Sequence, residues 1–345
     1  MITQAVGKVQ SVTDWDGDAQ ELTVRLELET RRAVNYPVLT GPAGVGDDVL
    51  LNTTAQALKL GTGGYDFVSA NLTHALPKPP EAETGHIIKG RYLPCQQAVL
   101  TLEEQERYAD VWERKLEGFP VLVGQLHSQI GPAAAGLHLS GRRRVAYIMT
   151  DAGALPMAFS RLVRDLKAAG LLGATLTCGQ AFGGDAETVT LHSALLGAKH
   201  ILHCDAAIVC QGPGNVGTGT KYGFSGIEQA QNLDIVKALG GQPVAIVRMS
   251  SGDKRERHQG ISHHSRTTLD LAYSRCLVAL PAGADASGLP PGHDVRLIKN
   301  VQPALDLLAD RGAAVTTMGR TPAQDPAFFE AAAAAGLALL EPVTL

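Results

Sequence analysis

Val145-Ala146-Tyr147-Ile148-Met149 is apolar from end to end, and the polar run Thr150-Asp151-Ala152-Gly153 follows it directly. A strand-length run without polar alternation belongs in a parallel sheet covered on both faces, because only there do both sides of a strand meet core. A helix-like segment, Pro156–Ala169, comes next, and then a second apolar run, Ala174–Thr177. Strand, helix, strand in that order is one βαβ unit.

The same rhythm extends in both directions. Phe119–Leu126, Ala206–Cys210, Pro243–Val247 and Cys276–Leu280 are further apolar runs, and Glu187–His200 and Gly226–Leu239 are helix-like. Val295–Ile298, Val301–Asp310 and Ala313–Thr317 read as one more βαβ-type unit, and Ala331–Ala335 as an alanine-rich helix with no functional reading. The expected fold class is α/β: a parallel-sheet, Rossmann-like, doubly wound main domain over residues 118–345.

The first 76 residues follow a different period. In Glu21–Glu29 the apolar Leu22, Val24, Leu26 and Leu28 alternate with polar residues, the pattern of a half-buried antiparallel strand. Val49–Thr54 and Tyr65–Val68 are further short strands, set apart by Gly61-Thr62-Gly63-Gly64. Several short strands between turn signals predict a small β-rich barrel or sandwich over residues 1–76. Pro77-Lys78-Pro79-Pro80 reads as a stiff spacer, so residues 77–117 are taken as linker and helix.

Composition narrows the function classes. The 345 residues carry 30 Lys+Arg against 34 Asp+Glu, a net charge of -4. That balance gives no electrostatic footprint for nucleic acid or for an anionic membrane. The start, Met1-Ile2-Thr3-Gln4, shows no signal-peptide pattern, and no run approaches the ~18 apolar residues of a membrane span. Cys95, Cys178, Cys204, Cys210 and Cys276 are scattered without CxxC spacing, which argues for reduced thiols and a cytoplasmic setting.

The chemistry concentrates by position. In an open parallel sheet the loops after the carboxyl ends of the strands share one edge, where ligands bind. Those loops hold His127-Ser128-Gln129, Thr150-Asp151-Ala152-Gly153, Gly179–Asp185, Gly212–Thr220 and Ser250–Asp253, whereas the loops at the other ends are plain. Gly212, Gly214, Asn215, Gly217, Thr218, Gly219 and Thr220 form a glycine-rich segment expected to offer backbone N–H groups and hydroxyls to an anion. It is neither a P-loop nor a GxGxxG fingerprint. Asp185 is placed to N-cap a helix, and Asp151 and Asp185 are candidate catalytic carboxylates. His258, His263 and His264 lie within seven residues of one another, flanked by Arg255 and Arg257. The histidines are expected to move protons and the arginines to clamp anionic charge. Ser262 is expected to N-cap the following helix. A metal and other cofactors stay open; His258 with one of the adjacent pair is the expected limit for a shared ion, and the arginines would repel a cation.

Several stretches also resemble a bacterial family known as domain of unknown function 3866. They are Tyr147-Ile148-Met149-Thr150-Asp151, Ala181-Phe182-Gly183-Gly184-Asp185, Gly212–Thr220, Arg257–His264 and Thr317-Met318-Gly319-Arg320. Leu51–Ala55, Leu60–Gly64 and Gly85–Lys89 belong to the same resemblance. It covers nearly the whole chain and implies a cytoplasmic bacterial protein without supplying a reaction. Gln180 stands where that family commonly has a histidine, and Asn215 where it commonly has an aliphatic residue, which weakens any proton-transfer or metal role at Gln180.

The functional expectation is an enzyme acting on a small phosphorylated or otherwise anionic metabolite by histidine-assisted proton transfer or hydrolysis. A histidine pKa raised by a neighbouring carboxylate belongs to that expectation. The alternative is a non-catalytic nucleotide- or anion-binding regulatory module. The partner expected is a small anionic ligand, with no nucleic acid and no membrane; a homo-oligomer stays open.

Overall fold

The computed structural model describes residues 2–61, 63–76 and 85–340, and the Pro77–Pro80 spacer lies outside them. The chain divides into two units, Met1–Leu100 and Thr101–Leu345.

The first unit is built on a closed barrel. Its strands are β1 (Gln4–Trp15), β2 (Ala19–Arg25), β3 (Thr30–Asn35), β4 (Asp48–Asn52) and β5 (Asp66–Asn71), in the order β1-β2-β3-β5-β4. Single helical turns α1 (Pro37–Thr40) and α2 (Thr54–Ala57) lie between strands. The long β1 closes the barrel by pairing β4 through its first half and β2 through its second, with a register shift between Val9 and Ser11. Leu22, Val24, Val9, Val49 and Leu51 fill the interior. The strand expected to reach Leu28 stops at Arg25, because Leu26 N donates to Glu29 O and closes the turn into β3. Leu26 therefore only borders the core, and Leu28 is 94% exposed. A short hairpin of β6 (Ile87–Lys89) and β7 (Gln97–Val99) completes the unit.

The second unit alternates strands and helices. In chain order these are β8 (Pro120–Val123), α3 (Ile130–Leu139), β9 (Val145–Thr150), α4 (Arg161–Ala168), β10 (Ala174–Thr177), β11 (Ala186–Glu187), α5 (Leu191–His200) and β12 (Ala206–Gln211). There follow α6 (Gln229–Ala238), β13 (Gln242–Ala245), β14 (Met249–Ser250), β15 (Gly260–Ile261), α7 (His263–Leu271) and β16 (Leu277–Pro281). β17 (Asp294–Ile298), α8 (Gln302–Asp310) and α9 (Pro326–Leu337) end the unit. Eight strands form one sheet, β11-β10-β9-β12-β8-β13-β16-β17, and every neighbouring pair is parallel.

The apolarity of the inner strands is explained by their two covered faces, whereas the edge strand β17 is exposed from Asp294 to Leu297. Along β9, Val145, Tyr147 and Met149 pack under α3, α4, α8 and α9, while Ala146 and Ile148 pack against residues of α5, α6 and α7. The alanine run of α9 has a packing reason: a Cβ on Gly336 would fall 2.4 Å from Ala133 O, and one on Gly136 2.5 Å from Ala333 O, so α3 and α9 meet backbone to backbone. Among the described residues, no helix is long and apolar enough to cross a membrane.

Two local expectations need correction. Asp185 caps no helix; the chain doubles back after β10 to lay β11 alongside it, and α5 begins at Leu191 with Thr190 as its cap. Residues 313–317 add no strand to the sheet. Burial alternates along them, with Ala313, Val315 and Thr317 buried and Ala314 and Thr316 exposed.

Candidate active site at the carboxyl edge

β8 and β12 are neighbours in the sheet, but the chain leaves β8 for α3 on one face and leaves β12 for α6 on the other. Loops that part in this way open a crevice at the carboxyl ends of their strands. Here the crevice is a cleft of about 670 Å³, walled by Leu126–Ser128, by the loop after β12, by Arg248 and the 255–258 turn, and by residues of 314–318.

Neutral amides hold the edge together where the sheet ladder ends. Gln129 Oε1 accepts from Gln125 N at 2.9 Å and Leu126 N at 3.0 Å, while its Nε2 donates to Val247 O at 3.2 Å. Gln211 Nε2 donates to Gln125 O at 2.6 Å and to Asn215 Oδ1 at 2.8 Å. Gln229 Nε2 bridges Val123 O and Ile246 O, at 2.7 and 3.0 Å. The ends of β8, β12 and β13 are thereby tied without placing any charge beside the cleft.

The charge comes from two buried acids, Asp253 and Asp325, and several arginines. Asp253 accepts a bidentate pair of bonds from Arg255, at 2.9 and 2.7 Å, and lies 3.5 Å from Arg248 and 3.7 Å from Arg320. The Arg255 guanidinium holds the Asp253 carboxyl well below the usual carboxylate range. Asp325, fully buried, anchors the turn from below: it accepts from Ser250 Oγ, Ser251 N, Gly252 N and Arg320 Nε. Burial, with Arg255 adding to it, brings Arg248 down to about 10, still charged at neutral pH. The cleft lining therefore holds Arg161, Arg248, Arg255 and Arg257 against a single carboxylate, Asp165.

The three histidines converge. His258, His263 and His264 each bring a ring nitrogen within 4.8 Å of the others, although His263 and His264 are adjacent in sequence and only one of them was expected to join His258. Ser262 caps α7, its Oγ accepting from His264 N at 3.2 Å and lying 2.7 Å from His258 Nδ1. His264 stacks on Phe224 with ring centres 3.8 Å apart, and its Nδ1 is 3.2 Å from Arg248 Nη1. His263 Nε2 is buried without a hydrogen-bond partner. Burial first, then the nearby Arg248 and Arg255, lowers His258 to about 3. Burial and then the His263 and Arg248 neighbours lower His264 equally, to about 3. The expected upward shift from a carboxylate is reversed: Asp253 does pull His258 upward, but desolvation and the guanidinium field outweigh it. His258 and His264 are therefore neutral near pH 7, and burial, with Arg257 and Arg248 nearby, lowers His263 as well.

The structure sorts the remaining nominated residues. Gly212, Gly214, Asn215, Gly217 and Gly219 line the cleft, together with Arg255, Arg257, His258 and His264. Thr218 and Thr220 do not: their hydroxyls bond to each other at 3.0 Å and to the backbone of Gly223, closing a hairpin-like loop in which Thr218 N also donates to Gly223 O. Asp151 lies at the same edge, beyond the crossing of the 151–155 and 212–213 segments, with its Oδ2 accepting from Gln180 N at 2.9 Å. Asp185 is carried to the amino end of β10, where it accepts from Thr175 N at 2.8 Å and pairs with Lys167 at 2.6 Å. It shares nothing with the histidine cluster.

Two residues of the cleft lining were given no role from the sequence: Arg248 was not singled out, and His127 was noted only as part of its loop. Arg248 stands at the end of the apolar run Pro243–Val247, and a charge there is a readable signal. His127 lines the cleft and clamps α4 to the sheet: its Nδ1 lies 3.1 Å from Tyr147 Oη, whose hydroxyl also faces the Cys210 and Gln211 carbonyls, while Ser160 Oγ sits 2.6 Å from His127 Nε2. Burial lowers His127 to about 4. Outside the cleft lining, Glu228 accepts from Thr150 Oγ1 at 2.5 Å, and burial, reinforced by Asp151, pushes it up to about 7. Nothing in the sequence around Glu228 marks it.

The family model described as a protein of unknown function (DUF3866) matches residues 32–336, most of the barrel unit and nearly all of the sheet unit. The chain belongs to this family. Among curated proteins none matches it. The glycine-rich loop, the arginine–histidine turn and the 317–320 turn, far apart in sequence, are thus parts of one family's chain brought to one cleft.

Proposed function

We propose that this protein is an enzyme acting on a small phosphorylated or otherwise anionic metabolite, by histidine-assisted proton transfer or hydrolysis. One observation carries the reading: four guanidinium groups and one carboxylate, Asp165, line a cleft that also holds His258 and His264, and even with Asp253 paired behind Arg255 and Arg248 the cations outnumber the acids. The excess of cations attracts an anion, and the volume suits a metabolite-sized ligand. In the proposal Arg255 and Arg257 clamp the anion while the glycine stretch brings backbone close to it. A neutral imidazole of the cluster exchanges the proton.

Inorganic phosphate and a panel of phosphorylated metabolites, titrated calorimetrically, test this. Arg257→Gln is expected to weaken binding about 10-fold or more, the loss of one charge-assisted hydrogen bond. Gly217→Leu is expected to block the cleft with the fold intact, since a Cβ there meets only Phe224 Cβ, at 3.8 Å. Affinity unchanged in both variants would refute the reading. Binding without turnover of any panel member would select the regulatory module instead.

A further inference from the structure

The imidazoles at the cleft are neutral alike, yet they are not equivalent, and the difference lies in what holds each Nδ1. Arg248 is 4% exposed, its backbone N donates to Ser265 Oγ at 2.8 Å, and its Nη2 faces Asp253 at 3.5 Å, so the guanidinium is fixed in place. Its Nη1 is 3.2 Å from His264 Nδ1. A guanidinium has five N–H donors and no lone pair to offer, so Nδ1 accepts and the proton of neutral His264 sits on Nε2. Phe224, stacked 3.8 Å away at an interplanar angle of 3°, holds the ring in that plane. His258 differs. Its Nδ1 faces Ser262 Oγ at 2.7 Å, and a hydroxyl can donate or accept by rotating, so either tautomer of His258 is served.

We infer that Arg248 divides the proton work of the cleft: it locks His264 as a neutral Nε2–H donor toward a bound anion and leaves His258 as the imidazole that takes up and returns a proton. Arg248 is a positioning residue in this scheme, acting through His264. The donor role rests on the anion reading proposed above; the lock does not.

The test is nitrogen NMR on the full chain labelled in its histidines, near neutral pH. His264 is expected to show a protonated Nε2 and an unprotonated Nδ1. Arg248→Met removes the donor while Arg255 and Arg320 still face Asp253, and a mixture of His264 tautomers is expected. Arg248→Lys, which keeps a donor, is expected to restore the single form. A protonated Nδ1 on His264 in the native protein overturns the lock whether or not the variants fold. Added inorganic phosphate is expected to shift the His264 Nε2–H resonance. Phosphate bound without that shift overturns the donor role. No phosphate binding beside the expected tautomer removes the anion reading and leaves the lock standing.

Discussion

At the residue scale the clearest measurable consequence is at Glu228. Its carboxyl is pushed up to about 7, chiefly by burial and despite the hydrogen bond from Thr150. The folded protein therefore binds a proton that the unfolded chain has already released above the ordinary carboxylate range. Stability from this group is present at low pH and is lost as pH rises through about 7. Glu228→Gln keeps the acceptor for Thr150 and cannot ionise. Its stability relative to the native protein is expected to grow by on the order of 2 kcal/mol between about pH 5 and pH 8, read from urea denaturation at each pH. A constant difference across that range would show that Glu228 titrates normally. The residue types of the cleft, His258, His264, Arg255 and Arg257, were legible in the sequence. Their electrostatic state was not, because it depends on Arg248 and on burial.

At the element scale the decisive contact is α3 against α9. Both helices are rich in alanine and glycine, and the approach of Gly336 to Ala133 O leaves no room for a side chain. Gly336→Val is expected to cost at least 1–3 kcal/mol through overpacking, lowering the thermal midpoint of the sheet unit. A midpoint unchanged from the native protein would mean that the helices can part without loss. The sequence identifies α9 as a helix through its alanine run. It does not reveal what the alanines are for, since the partner surface lies about 200 residues upstream. Leu28 teaches the reverse lesson: alternation continued past Arg25, but a turn bond from Leu26 N to Glu29 O ended the strand.

At the scale of the whole molecule, the barrel and the sheet unit have separate apolar cores. Leu22 is fully buried in the barrel, and Leu22→Ala is expected to cost about 2–5 kcal/mol there. The loss should appear in calorimetry as a lowered barrel transition with the transition of the sheet unit unchanged. A parallel fall in the second transition would show that the two units are energetically coupled.

The fold class was legible in the sequence, since a strand buried on both faces is apolar throughout and a strand buried on one face alternates. So was the gathering of polar and glycine residues at the carboxyl edge, where the cleft lies. Strand order was beyond the sequence, and strand order decides the site: the adjacency of β8 and β12, with α3 and α6 on opposite faces of the sheet, opens the cleft. The same topology sends Asp185 to the amino end of β10 and brings three histidines around Arg248. Local sequence encodes which side chains exist and how each segment buries its faces. Which of them meet, and whether an imidazole there is charged, is set by packing between segments far apart in the chain.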